Sequence, residues 1–338
     1  MSPAGPCIPI TPPKTLRMKH AKTLFKALMY AAVLASCVYF FLAFKTHVAN
    51  LPPIALNIKT VALAVLSVVA VVVTHFLGTH VWRLLMSDQG YRVPTRLAVQ
   101  VFFISQLGKY LPGNVGQFLG RGVLAKSTGI PVGVAVGTAV FEGIWNLVIS
   151  LSLALLSSWV LWDLATVHAV DPRFGQQAGW LLLLALVLPW LSIKVLNTVL
   201  PQLSKKVGGG QLLRPPRLRT SLLVSLLILI NFMLLGYVLK LQSEVFFATP
   251  PVEWLSITLL FSSAWVAGYV VPGAPGGLGV REAMMVVLLT PLTGAPVATG
   301  LAVSMRLTSL LGDGLTVLVG VLSRYMRSRS DREQAVLK

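Results

Sequence analysis

Seven ionisable side chains lie within or beside long apolar stretches of this 338-residue chain: Lys109, Arg121, Glu142, Arg281, Glu282, Arg306 and Asp313. A charge near the centre of a bilayer costs about 2.5–3.5 kcal/mol on insertion scales, so such residues are functional candidates by default. Arg121 and Arg281 stand out by spacing. Each follows a Pro-Gly pair, Pro112-Gly113 or Pro272-Gly273, and each sits nine residues after its proline. That places each near the start of a helix that returns from a Pro-Gly turn. A helix start offers free N–H groups and partial positive charge. Neighbouring glycines, Gly116 and Gly276 among them, let a ligand approach the backbone. Arginine adds a planar fork that holds two phosphate oxygens. The combination reads as a site for a phosphate-bearing headgroup. The competing reading is that Arg281 pairs with Glu142 or Glu282 and only locks the turn.

Glu142 and Asn146 are one helical turn apart and share a face. Arg306 and Asp313, seven apart, also share one. These faces are expected to line the interface between the two halves of the chain. Lys109, Asn114, Gln117 and Arg306 join the two arginines as substrate-binding candidates. Glu142, Glu282 and Asp313 are candidates for ion pairs, or for a coupling proton if burial raises a carboxyl pKa. Tyr110 and Tyr269 read as packing residues, and His75 as a hydrogen-bonded helix contact. Gly276–Gly279 lacks the βαβ context of a dinucleotide fingerprint. Cys7 and Cys37 form neither a disulfide framework nor a metal site. No cofactor, no metal and no catalytic constellation is expected, and the chain is not read as an enzyme.

The elements that must position these residues follow from composition. The chain is 55% hydrophobic and only 11% charged, against roughly 25% charged in soluble domains. Charge-free runs such as 60–73 and 221–239 are long enough, with their flanks, for the about 20 residues that cross a bilayer core. Six spans are predicted, at 24–44, 58–85, 132–160, 178–199, 220–241 and 296–322. The first, preceded by a basic stretch, exceeds a signal-peptide core and is read as retained. The net charge of +18 comes largely from basic blocks between apolar runs. This fits the positive-inside rule better than nucleic-acid binding. The charge pattern is self-consistent only if 97–131 and 254–295 each enter and leave by one face, as re-entrant hairpins. Such backbone is tolerated only where protein or a water-filled cavity covers it. The predicted fold is therefore an all-α polytopic membrane protein with both termini cytoplasmic.

The two hairpin motifs also align with each other. GKYLPGNVGQFLGR (108–121) matches GYVVPGAPGGLGVR (268–281) at a constant offset of 160, and the same offset maps the flanking spans onto one another. The first copy starts inside and the second outside, an inverted-topology repeat of the kind found in secondary transporters. The expected organisation is a basic disordered tail (1–19), a first repeat (20–160), an external loop (161–177), a second repeat (178–325, with a linker at 200–219) and a cytoplasmic tail (326–338).

At GKYLPGNVGQ (108–117) with Arg121, and at PGGLGVREA (275–283), the chain resembles the lysylphosphatidylglycerol synthase transmembrane-region family. The resemblance covers roughly 20–325. It implies a bacterial inner-membrane protein that moves a lipid between leaflets, or helps to. Fused members add an aminoacyl-transfer domain. This chain ends about 16 residues after its last predicted span, so that activity is expected to be absent. The family often carries a Glu-Arg pair and an Asp one turn later after the first hairpin. Here Gly143 and Asn146 occupy those places beside Glu142.

The function expected is translocation of an anionic phospholipid or a polyprenyl- or hopanoid-linked lipid. The alternatives are a non-transporting partner of a glycosyltransferase or lipid-modifying enzyme, and a small-anion secondary transporter. Membrane lipids are the expected partners, nucleic acid is not, and a homodimer is entertained.

Overall fold

The computed structural model describes residues 31, 34–35, 37–50, 54, 56–111, 115–166, 173–271 and 274–336. The expected basic tail (1–19), about half of the first predicted span, Pro112, Gly113, Asn114, Pro272 and Gly273 lie outside them. Every regular element among the described residues is helical. In chain order they are α1 (37–47), α2 (Ile58–Asp88), α3 (Thr95–Ser105), α4 (Gly116–Lys126), α5 (Val132–Thr166), α6 (Arg173–Val199), α7 (Pro201–Val207), α8 (Leu218–Phe246), α9 (Trp254–Val270), α10 (Val280–Thr293) and α11 (Ala295–Val336). Short 3-10 turns at Gln106–Tyr110 and Pro275–Gly277 precede α4 and α10.

Among the described residues, four helices are long and apolar enough to cross a membrane: α2, α5 as far as Ser158, α8, and α11 as far as Met326. The chain is a membrane protein. α2 begins where the Asn57 side chain accepts from the Thr60 amide at 3.0 Å, satisfying one of the free N–H groups of the first turn. Its 31 residues rise about 46 Å, more than the about 30 Å bilayer core. α3 and α4 have 11 residues each, about 16 Å, and α10 has 14, about 21 Å. These arms are too short to cross. α3 lies against α4, and α9 against α10.

Several boundaries differ from the expected ones. α5 runs on to Thr166 and α6 starts at Arg173, so helix occupies both ends of the predicted 161–177 loop. The 200–219 linker contains a helix, α7, started by a proline at its first position. α11 continues as one helix to Val336, through the segment read as a tail.

The long helices α2 and α8 pack side by side and run antiparallel. Near the start of α2, Ser67 Oγ takes a 3.2 Å hydrogen bond from Gln242, close to the end of α8. At the other end, the Arg217 amide donates to Asp88 Oδ2 at 3.1 Å and Gln89 to the Arg214 carbonyl at 2.9 Å. The packing is reciprocal: α5 lies along α9, and α11 along α3. The bond from Gln100 to the Ser323 carbonyl, 3.0 Å, brings the far part of α11 to the α3 side. The basic segments around 83–96 and 205–219 and the stretch from Arg324 therefore gather at one end. Lys240, Glu244 and Glu253 lie at the opposite end, with Lys240 on Glu244 at 2.6 Å.

Buried indoles fasten the core. Trp82 donates to Thr138 at 3.1 Å and Trp145 to Ser225 at 3.0 Å, so neither N–H is left unsatisfied in a region without water.

Candidate functional site

Two glycines 160 residues apart let short segments approach closely enough to build the site. A Cβ on Gly108 would collide with the backbone of Gly116 and Gln117. One on Gly268 would sit 2.8 Å from the Arg281 Cβ and 3.4 Å from its amide nitrogen. Hydrogen in place of a methyl lets each returning arm start against its partner. Gly116 is thus the contact point opposite Gly108, and Gly277 the one opposite Gly268, while Gly276 has φ +58°, a left-handed conformation that favours glycine.

The charged candidates fall into three clusters around one cavity of about 240 Å³. The first joins α4 to α5. Arg121 Nη1 lies 2.5 Å from Glu142 Oε2, and both residues are buried. The guanidinium sits 3.9 Å over the Phe102 ring, a cation–π contact that strengthens where water is excluded. Asn146, one turn on, donates to the Glu142 carbonyl oxygen at 2.9 Å. Arg121 is the sixth residue of α4, not at its start as the spacing suggested.

The second cluster joins α10 to α11. Glu282 accepts from Arg306 Nη1 at 3.2 Å through Oε1, and from the Gly279 amide at 2.7 Å through Oε2. The carboxylate thereby caps the N-terminus of α10. Arg306 also donates to the Gly276 carbonyl at 3.2 Å. Arg281, the second residue of α10, lies 3.9 Å from the same Glu282 and 3.4 Å from Ser309 Oγ. Of the two pairings expected for Arg281, the Glu282 one is present, shared with Arg306. Glu142 belongs to Arg121.

The third cluster joins the 3-10 turn Gln106–Tyr110 to α11. Lys109 Nζ lies 2.7 Å from Asp313 Oδ1, and Tyr110 donates to Oδ2. His75 Nε2 approaches Asp313 at 3.2 Å, while its Nδ1 lies 2.8 Å from the Val71 carbonyl. His75 is thus the helix contact expected and a member of the site as well. Tyr110, read as packing, is also a polar member. Neither role was legible, because the carboxylate they share is over 200 residues further along the chain.

Gln117 lines the cavity; Asn114 lies outside the described residues. Tyr269 stacks on Trp265 with ring centres 4.8 Å apart. Gly143 makes room for it, since a Cβ there would come within 2.6 Å of the Tyr269 hydroxyl. The departure at position 143 thus has a local cause: an arginine and this tyrosine cannot share the space.

Four cations and two carboxylates line the cavity, with Glu282 behind them. Buried ion pairs are retained at a desolvation cost that hydrogen bonding only partly offsets. Here the cost is incompletely offset. Arg121 Nε, Arg281 Nε and both Nε and Nη2 of Arg306 are buried and bond to nothing among the described residues.

The family model for the lysylphosphatidylglycerol synthase TM region matches residues 28–316. The chain belongs to that family. All three clusters fall inside the matched range, so this is the part of the chain that the lysylphosphatidylglycerol synthase TM-region match accounts for. No curated protein matches the chain.

Proposed function

We propose that this family member carries an anionic lipid between leaflets, holding its phosphate headgroup at Arg281, on the second hairpin, and Arg306, on α11. The cargo class is an anionic phospholipid or a polyprenyl- or hopanoid-linked lipid. The accompanying topology has six spans and two re-entrant hairpins in an inverted repeat, with both termini in the cytoplasm of a bacterial inner membrane. Three features support it. α2 and α8, equivalent at the 160-residue offset, run antiparallel. The arms α3, α4 and α10 are too short to cross. The basic segments collect at one end, as the positive-inside rule requires of a cytoplasmic face.

The observation that carries the headgroup site is the sharing of Glu282 by two arginines. Arg281 and Arg306 both line the cavity, and one carboxylate serves both. An anion entering there would gain charge-assisted hydrogen bonds from nitrogens that lack them. Drug-sized ligands occupy pockets of about 300–1,000 Å³. A cavity of about 240 Å³ suits a headgroup, while the hydrocarbon chains stay in the bilayer. The ion pairs between hairpins and long helices would open and re-form as the head passes.

The test is leaflet exchange of a fluorescent anionic phospholipid in liposomes containing the purified protein alone. Wild type should accelerate exchange, and Arg281→Ala and Arg306→Ala should abolish it without loss of folded protein. Normal exchange by both variants would remove the arginine site. No exchange by wild type would favour the non-transporting partner instead.

A further inference from the structure

The cavity has a second chemical character beside its charges. Four amide side chains reach it from four different elements: Gln106 from the first 3-10 turn, Gln117 from α4, Asn146 from α5 and Asn231 from α8. Gln106 is only 5% exposed, yet none of its amide atoms is bonded to another described residue. Gln117 and Asn231, both half-buried, likewise make no side-chain hydrogen bond to another described residue. Amides that line a cavity without a protein partner leave donors and acceptors for a ligand or water. The stacked pair Trp265 and Tyr269 lines the same space, and both rings are half-buried.

The carboxylates are differently placed. Glu142 is taken by Arg121, and Asp313 by Lys109, Tyr110 and His75. Glu282 is taken by Arg306 and the Gly279 amide. A headgroup carrying an ammonium would have to displace one of these cations to find a counter-charge. A headgroup carrying neutral hydroxyls would not. Amides donate and accept, as hydroxyls do, and aromatic rings cover the apolar C–H faces of a polyol.

We propose that the cargo's phosphate carries a neutral, hydroxyl-bearing substituent, a glycosyl or glycerol group, which Gln106, Gln117, Asn146 and Asn231 recognise while Arg281 and Arg306 hold the phosphate. The inference rests on the arginine site proposed above and narrows its cargo. The two sources of this chemistry are a glycosyl-phosphate on a polyisoprenoid and the glycerol head of a phospholipid.

The experiment is calorimetric titration of the purified protein in detergent with four probes: farnesyl phosphate, farnesyl-phosphoryl-glucose, dioctanoyl-phosphatidylglycerol and dioctanoyl-phosphatidylethanolamine. The glucose probe should bind at least tenfold more tightly than farnesyl phosphate, or the glycerol probe at least tenfold more tightly than the ethanolamine one. Whichever preference holds identifies the source. Asn231→Leu and, as an independent variant, Gln117→Met should each bring that ratio to within about threefold of unity. Arg281→Gln should weaken every probe. If farnesyl phosphate binds and Arg281→Gln weakens it, but neither preference appears or both amide variants keep it, the hydroxyl-head inference fails and the arginine site stands. If no probe binds, or Arg281→Gln changes nothing, the arginine site fails and the inference with it.

Discussion

Lys109, in the 3-10 turn before α4, and Asp313, on the last long helix, meet at 2.7 Å although 204 residues separate them in the chain. The contact fixes that turn against α11 about halfway along the helix's apolar length. Breaking such a pair on one side leaves an uncompensated buried charge, which costs about 3–5 kcal/mol. Asp313→Ala should therefore lower the thermal unfolding temperature in detergent strongly, while Lys109→Met combined with Asp313→Asn should recover part of the loss. Equal stability of Asp313→Ala and wild type would show that the contact holds nothing in place.

Arg121 makes two contacts that a lysine cannot copy together: a forked approach to Glu142 and a flat stack on Phe102. Arg121→Lys keeps the charge and loses the plane. It should slow lipid exchange about tenfold, equivalent to about 1.4 kcal/mol, and Glu142→Gln should slow it similarly. Exchange at the wild-type rate by Arg121→Lys would mean that charge alone is required there.

The close approach of Tyr269 to Gly143 gives a paired prediction. Gly143→Ala should push the tyrosine hydroxyl aside and reduce exchange. Tyr269→Phe removes the offending oxygen, so the double variant should exchange faster than Gly143→Ala alone. Additive losses in the double variant would place the effect of Gly143 elsewhere. The comparison is a double-mutant cycle on initial rates.

The arrangement of ends can be mapped by labelling. After replacement of Cys7 and Cys37, a cysteine at exposed Gln211 should react with an impermeant maleimide only from the cytoplasmic side, and one at exposed Pro250 only from the other. Labelling of both positions from one side would overturn the orientation, and with it the assignment of the basic end.

Much of this was legible in the chain. Charge-free runs longer than any soluble helix needs dictated the spans, because lipid offers backbone polar groups no partner but each other. The matched Pro-Gly motifs and the lone charges in apolar runs nominated Arg121, Arg281, Glu142, Glu282, Arg306 and Asp313, all of which meet near one cavity or directly behind it. Ionisable residues in apolar runs are conspicuous one at a time, since each must have a reason to be there.

Partnership was another matter. Nothing in the spacing says that Glu282 serves two arginines, that Asp313 gathers Lys109, Tyr110 and His75, or that Gln242 joins α2, α8 and α11 through Ser67, Thr308 and Ser304. A lone tyrosine, histidine or glutamine in an apolar helix looks the same whether it packs or bonds across the bundle. Its role depends on what a distant helix brings within 3 Å. The sequence by itself determined that the chain enters a membrane and which charges it carries there. Only the tertiary structure decided which charges cancel and which donors are left for a ligand. Hydrophobic burial is set locally, residue by residue, whereas hydrogen bonds and ion pairs are short-ranged and require the folded geometry.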